Sequence, residues 1–301
     1  MQDQTANRFL TDAFRLPIEQ RVSAHIGREW RVTAMEDKEE FASHPAAVLC
    51  GETFSIFVKL EEGEPGRERL EKEIGGLRLL AEASGVRTPV IIGDIQVHDA
   101  TLLLMEAVEL VERESVHWRQ IGHALAQIHG VAGERFGLET HCYWGALRQD
   151  NSPLDDWPTF FWARRCLPRL RAALDSGNLP SDFVREIERL EPRLAELCGP
   201  ATSPALVHGD AQQNNILSTA EGPVVIDPSV YYGHPEIDLA YVDFFAPVAD
   251  ELFEGYREVR PIDPGFAERR ALWLIPFWLG MVEVEGPQHV SGLRAALGRY
   301  V

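Results

Sequence analysis

The chain has 301 residues, 45% of them hydrophobic and 25% charged, and its formal net charge is −18. This composition is typical of a soluble globular protein, and the length is sufficient for two domains. The acidic charge argues against nucleic acid and anionic membranes as partners, because binding to either requires clustered Lys and Arg.

The N-terminus lacks a basic start followed by an apolar run, so no secretory signal is predicted. The four cysteines show no CxxC spacing, which indicates reduced thiols in a cytoplasmic protein. The longest apolar run, from Ala271 to Val282, contains Pro276 and falls short of the roughly 20 residues of a bilayer span. We therefore predict a buried helix there and no membrane contact.

The first part of the chain predicts strands followed by a helix. Residues 50–60, CGETFSIFVKL, alternate apolar and polar positions and predict a strand that ends near Lys59. Residues 61–68, EEGEPGRE, have the charged, turn-forming composition of a loop. The next apolar residues have helical spacing, with Gly85 just past their end: Leu70, Ile74, Leu77 and Leu80.

Two further strands are predicted around residues 88–97 and 101–110. From about Ser115 the pattern becomes helical, interrupted by short apolar runs. The predicted helices cover residues 115–131, 157–177 and 181–197, and the apolar runs cover residues 204–208 and 223–228. We predict an α+β fold with a small sheet-and-helix lobe, residues 1–108, and a larger mainly helical lobe, residues 109–301. A cleft between two lobes is a natural site for a small molecule.

The two apolar runs flank the most informative stretch, LVHGDAQQNNIL followed by VVIDPSVYYGHPEIDLA. Asp210 and Asn215 are five positions apart, and Asp227 follows the second run. Apolar runs lie before His208, after Asn215 and before Asp227. Two of these strands paired as a hairpin, with the loop from Asp210 to Asn215 at one end, could bring the three oxygen-bearing side chains together. Hard oxygen ligands suit Mg²⁺, and a remaining carboxylate can accept a proton from an attacking hydroxyl.

The spacing matches the protein-kinase catalytic loop, in which Asp is the base and Asn a metal ligand. Asp210 is then the base, while Asn215 and Asp227 bind the metal. The same chemistry requires a strand lysine for the phosphates and a helix glutamate that pairs with it. Lys59 fits the first, and Glu73 the second, with Glu71 as the less favoured alternative. The backbone from Glu106 to Val108, in the predicted linker between the lobes, would then bind adenine.

The HGDxxxxN pattern followed by an Asp-containing strand is similar to the aminoglycoside phosphotransferase and choline kinase superfamily. Within it, IDPSVYYGHPEIDLA resembles the fructosamine kinase (ketosamine-3-kinase) family, whose element reads close to IDPAxYYGHREADLA. The resemblance covers roughly residues 54–245. It implies a protein-kinase-like bilobal fold with an N-terminal nucleotide-binding lobe and a C-terminal catalytic and acceptor-binding lobe. It also implies ATP and Mg²⁺, and a cationic, amine-bearing acceptor phosphorylated on a sugar hydroxyl.

The chain departs from the family at two places. The family usually has HGDLWSGN, so Gln212 replaces its Trp and Asn214 its Gly, next to the base where an acceptor would lie. The Gly-Gly turn of the nucleotide-covering loop is replaced by residues 43–51, SHPAAVLCG. Ser43 or backbone amides would then have to bind the phosphates.

The remaining candidates are supporting residues. We expect His208 and Asp238 to brace the catalytic loop, and Gln212, Tyr231 and Trp157 to line the acceptor pocket, although the two aromatic residues suit the core equally well. The alternative functions are phosphorylation of an aminoglycoside or another amino-alcohol, nucleotide binding by a pseudokinase, and a metal-dependent hydrolase. The hydrolase would not require Lys59.

Overall fold

The computed structural model describes residues 6–38 and 44–300. The N-terminal lobe contains a five-stranded antiparallel sheet of order β1-β2-β3-β5-β4. Its strands are β1 (Ala34–Asp37), β2 (Ala46–Cys50), β3 (Ser55–Glu62), β4 (Ile91–Val97) and β5 (Ala100–Glu106). The helices of this lobe are α1 (Asp12–Ile26), after a 3-10 turn at Ala6–Leu10, and α2 (Gly63–Ser84).

The two helices cover opposite faces of the sheet, because alternate residues of a strand point to opposite sides. Leu102 and Leu104 of β5 share a core with α1, whereas Leu103 and Met105 pack with α2. The predicted strands and helix are present. The predicted loop at residues 61–68 is wrong, because β3 runs to Glu62 and α2 begins at the next residue. Gly63, at φ +67°, makes the turn alone, since only glycine adopts this conformation freely.

The C-terminal lobe is mainly helical. Its helices are α3 (Ser115–Ile128), α4 (Trp157–Phe160), α5 (Leu167–Asp175), α6 (Asp182–Glu188), α7 (Leu194–Leu197), α8 (Glu236–Tyr241), α9 (Asp250–Val259), α10 (Phe266–Trp273), α11 (Ile275–Glu285) and α12 (Val290–Leu297). A π-helical segment, Phe161–Cys166, joins α4 to α5, and 3-10 turns lie at Glu191–Arg193, Gln213–Asn215 and Pro287–His289. Its short strands are β6 (Cys142–Trp144), β7 (Leu147–Gln149), β8 (Ala205–Val207), β9 (Ile216–Leu217), β10 (Val224–Val225) and β11 (Tyr231–Gly233). The predicted lobe boundary falls between β5 and α3.

Two predicted helices differ from the observed ones. The helix predicted over residues 181–197 ends at Glu188, and a 3-10 turn that contains Pro192 separates it from α7. The apolar run from Ala271 to Val282 is mostly buried, but it is divided between α10 and α11, with Pro276 in the first turn of α11, where its missing N–H costs nothing. None of the described helices has the length and apolar character that a membrane span needs.

The predicted hairpin around the central motif is confirmed. Strands β9 and β10 pair antiparallel, with Leu217 opposite Val224 and Ile216 opposite Val225. Strand β8, which leads into the motif, pairs with β11 instead. The catalytic loop, defined here as residues 208–215, and the segment that begins at Asp227 therefore emerge side by side.

Candidate active site

A buried carboxylate determines the shape of the first half of the catalytic loop. Asp238 is fully buried at the start of α8, and it accepts hydrogen bonds from the backbone N–H groups of His208 (2.7 Å) and Gly209 (2.9 Å). Nε2 of His129, the residue that follows α3, lies 3.0 Å from the same carboxylate. Gly209 has φ +78°, and a Cβ there would lie 2.1 Å from the carbonyl oxygen of Ser229. A side chain at this position is therefore excluded.

His208 connects the catalytic loop to the strand that leads to Asp227. Its Nδ1 accepts the backbone N–H of Asp210 (3.2 Å), so Nε2 carries the proton and donates to the carbonyl of Ile226 (2.9 Å). Burial lowers the pKa of His208 below its ordinary value, which keeps the ring neutral. Through these two hydrogen bonds His208 connects the catalytic loop to the segment before Asp227.

Asp210 is partly exposed at the end of this half-loop. Its Oδ1 accepts a hydrogen bond from Trp144 Nε1 at 3.0 Å. Burial raises the pKa of Asp210 to about 7, against the opposing effect of the Trp144 hydrogen bond. A carboxylate with this pKa is well matched to accepting a proton near neutral pH.

Asn215 ends the loop, and both the nitrogen and the oxygen of its side-chain amide form hydrogen bonds. Its Nδ2 donates to the backbone carbonyl of Asp210 (2.9 Å), which orients the side chain. Its Oδ1 accepts from Gln212 Nε2 at 3.1 Å. Because an amide oxygen has two lone pairs, one remains for a second partner.

Lys59 on β3 joins the two lobes through carboxylates. Its Nζ lies 2.8 Å from Glu73 Oε2 on α2 and 3.0 Å from Asp227 Oδ1. Burial opposes the charge on Lys59, but Asp227 and Glu73 together raise its pKa above the ordinary value. Asp227 has φ +50°, a strained conformation for a residue with a side chain. Glu71, the alternative partner for Lys59, pairs with Arg67 instead.

The donor set of this centre fits a magnesium ion held partly by substrate. Asp227 and Asn215 offer hard oxygen atoms, which Mg²⁺ prefers. The described part of the chain contains no cluster of three or more His, Cys, Asp and Glu residues suited to a metal. Mg²⁺ usually keeps several waters and binds through one or two carboxylates plus phosphates, so Asp227 together with the Asn215 oxygen is a donor set that it can use.

Part of the backbone in the linker is already bonded within the N-terminal lobe. The N–H of Glu106 donates to the carbonyl of Val90 (2.9 Å), and that of Ala107 donates to Ser55 (3.0 Å). Of the groups expected to bind adenine, the carbonyl of Glu106 and the backbone of Val108 remain available for hydrogen bonds. Ser43, considered above for the phosphates, lies outside the described residues.

The two aromatic candidates for the acceptor pocket lie in the core. Trp157 is 3% exposed and packs on Phe160 and Trp273. Tyr231 is 2% exposed, and the Arg165 guanidinium lies 4.0 Å from its ring centroid. This burial favours the packing interpretation for both residues. Gln212 is half-buried on the catalytic loop, beside Asn215.

Sequence reasoning missed Trp144, the residue that donates to Asp210. Trp144 ends β6, and 66 positions separate it from Asp210. No motif connects the two residues, so only the folded arrangement identifies this contact. A tryptophan is thus present beside Asp210, although the catalytic loop itself has Gln212 at the position where the resembling family has a tryptophan.

Comparisons with known proteins identify the family and the fold. The family model described as fructosamine kinase matches residues 16–301. A probable ketoamine kinase of Synechocystis sp. is 30% identical over 265 residues, which are 85% of this chain and 86% of the relative. A solved structure from Thermobifida fusca, described as a fructosamine-3-kinase, has a TM-score of 0.82 and 29% identity and covers 94% of this chain and 97% of its own. The aminoglycoside phosphotransferase APH(4)-Ia, in complex with ADP and hygromycin B, has a TM-score of 0.62 at 12% identity over 94% of this chain and 96% of its own. The predicted family resemblance and the protein-kinase-like bilobal fold are confirmed.

Proposed function

The chain belongs to the fructosamine kinase family, and we propose that it is a Mg·ATP-dependent kinase that phosphorylates a sugar hydroxyl of a ketosamine. The observation that carries the proposal is the contact of Lys59 with both Glu73 and Asp227, at 2.8 and 3.0 Å. Kinase chemistry requires a lysine at the phosphates, a helix carboxylate that fixes it, and an aspartate at the metal. The three residues come from β3, α2 and the segment after β10, and they meet at one point.

Catalysis on this framework consists of positioning and charge stabilisation. Asp210 accepts the proton of the acceptor hydroxyl while that oxygen attacks the γ-phosphorus of ATP and ADP departs. Trp144 fixes the orientation of the Asp210 carboxylate. Lys59 binds the α- and β-phosphates, and Glu73 keeps its ammonium group in place. Asn215 and Asp227 would hold Mg²⁺, which neutralises charge on the β- and γ-phosphates when bound.

The relatives support the proposed nucleotide and acceptor. The related APH(4)-Ia was solved with ADP, which supports an adenine nucleotide here. Ketoamine kinases and a fructosamine-3-kinase among the relatives support a sugar-amine acceptor. A small, cationic acceptor also suits the net charge of −18. The cytoplasmic location stays a prediction from the sequence.

Another amino-alcohol is the second candidate acceptor. Gln212 and Asn214 occupy the positions of the family's Trp and Gly next to the base, so the surface that meets the acceptor differs from the usual one. The intact set of Lys59, Glu73 and Asp227 argues against a pseudokinase. It also argues against a hydrolase, which would not need the lysine.

The test is ADP release from Mg·ATP with a panel of fructosamine, ribulosamine and aminoglycoside acceptors. We expect acceptor-dependent release that falls roughly 10²–10⁴-fold in Asp210→Asn, because the general base is removed. Asp155→Asn, on a side chain that is 86% exposed, is the matched control and should retain full activity. If the protein binds nucleotide but turns over none of the acceptors, the kinase assignment is contradicted.

A further inference from the structure

Strand β6 contacts both lobes through two consecutive side chains. The hydroxyl of Tyr143 donates to Glu68 Oε2 on α2 at 2.7 Å, and the next residue, Trp144, donates to Asp210 Oδ1 at 3.0 Å. Consecutive residues of a strand point to opposite faces. The β6–β7 hairpin of the C-terminal lobe therefore contacts the N-terminal lobe on one side and the base on the other.

The contact with α2 involves a charged group. His141 Nε2 lies 2.9 Å from Glu68 Oε1, so both carboxylate oxygens of Glu68 face the hairpin. The Tyr143 hydrogen bond lowers the pKa of Glu68, against the opposing effect of burial. Glu68 is consequently ionised at neutral pH and is the stronger acceptor in that form.

Helix α2 also carries Glu73, the partner of Lys59. Five residues along a helix correspond to an axial distance of about 7.5 Å. Because the helix is rigid over this distance, the contact at Glu68 restricts the position of Glu73. The opposite end of the contact is fixed as well, since Ser229 Oγ donates to the carbonyl of Tyr143.

A second contact ties α2 to the same region. A Cβ on Gly76 of α2 would lie 3.0 Å from Pro228 Cγ, so the helix packs closely against the residue that follows Asp227. Helix α2 therefore contacts β6 at Glu68 and Pro228 at Gly76, and Ser229, the residue after Pro228, is hydrogen-bonded to β6. A shift of the hairpin would have to be accommodated by α2, because closely packed elements do not deform continuously.

We propose that Tyr143 is a positioning residue that couples acceptor binding to nucleotide binding through Glu68. The inference rests on the kinase function proposed above. An acceptor hydroxyl at Asp210 lies beside Trp144 and holds the hairpin in place. Tyr143 then holds α2 in the position where Glu73 pairs with Lys59. Lys59 is therefore already oriented when the phosphates of ATP bind. Coupling of this kind is reciprocal, so nucleotide strengthens acceptor binding by the same factor.

The experiment measures the affinity of the full chain for the non-hydrolysable nucleotide AMP-PNP with Mg²⁺, alone and with a saturating concentration of the best acceptor from the ADP-release panel. In the wild-type protein we expect the acceptor to tighten nucleotide binding about fivefold or more. In Tyr143→Phe this factor should fall to near one, while the affinity for nucleotide alone changes less than about twofold, because only the hydroxyl contact with α2 is lost. Glu68→Gln weakens the same contact from the other side and should lower the factor in the same direction.

The matched control is Glu71→Gln, since Glu71 is also on α2 but pairs with Arg67 on its own helix. It should keep the full coupling factor. Coupling in Tyr143→Phe equal to that of the wild type, or its equal loss in Glu71→Gln, would overturn the inference while leaving the kinase function intact. If none of the acceptors is turned over, the kinase function is refuted instead, and the coupling with it.

Discussion

Replacing Asp210, the proposed base, should stabilise the protein while it lowers activity. The pKa of Asp210 rises from 3.8 to about 7 on folding. At about 1.4 kcal/mol per pKa unit, the full shift corresponds to about 4 kcal/mol. Asp210 is partly exposed, so screening by solvent reduces the effect to about 1–2 kcal/mol. We expect the free energy of unfolding of Asp210→Asn to exceed that of the wild type by this amount at pH 8.

The sign of this stability difference follows from the number of protons that the native and unfolded states bind. Between pH 4 and 7 the native state of the wild type binds more protons at this group than the unfolded state does, so its stability falls as the pH rises. Asparagine does not titrate, and it still accepts the Trp144 hydrogen bond. The difference between the two proteins should therefore be near zero below about pH 4 and should grow until about pH 7.

Urea unfolding at pH 4, 6 and 8 measures this difference, with Asp155→Asn as an exposed control that should show none. Equal or lower stability of Asp210→Asn at pH 8 would refute the reasoning. That result would mean that the carboxylate is not destabilised by its surroundings, and the match between its pKa and neutral catalysis would lose its support.

Three further outcomes follow from single contacts. In Trp144→Phe the carboxylate of Asp210 loses a donor, so the rising limb of the pH–rate profile should move about 0.5–1 unit higher, and an unmoved limb would contradict this. In Gln212→Leu the oxygen of Asn215 is freed, and Mg²⁺ titration in the presence of AMP-PNP should show affinity increased about fivefold; weaker binding would mean that Gln212 assists the metal site. His234 has its pKa lowered from 6.5 to about 4 by burial, so its contribution to stability is present above pH 6.5 and is lost as the pH falls toward 4. Between pH 7 and 4.5 this loss amounts to about 2 kcal/mol, and urea unfolding at these two pH values should show that it is absent in His234→Gln.

The residues that the sequence identified are those whose roles depend on local order along the chain. Lys59 ends an alternating strand pattern, and Glu73 follows on the next helix, so their succession predicts a pairing before any coordinates are known. The hairpin that presents Asn215 and Asp227 is similarly local, because β9 and β10 are neighbours in sequence. In these cases the periodicity of the segments and the short connections carry the information.

The contacts that the sequence could not identify join distant segments. Tyr143 and Glu68 are 75 positions apart, and no periodic pattern relates a hairpin residue to a helix of the other lobe. The loop predicted at residues 61–68 failed for a local reason, since the glycines and prolines that usually make a loop here start a helix instead. Gly63 turns the chain in one step, and Pro65 lies in the first helical turn, which tolerates it.

The hydrogen bonds of Asp238 divide the catalytic loop into a first half whose backbone is fixed and a second half whose side chains can be replaced. The residues from His208 to Asp210 are fixed by a buried carboxylate and by a glycine that admits no side chain. Gln212 is half-buried and Asn214 is exposed, and neither takes part in those hydrogen bonds. Under the proposed function, natural variation or laboratory evolution can therefore alter acceptor preference at these two positions while Asp210 stays in place. A library randomised at Asn214 alone would leave the contacts of Asp210 and Asn215 intact, whereas changes at Gln212 would also alter its hydrogen bond to Asn215.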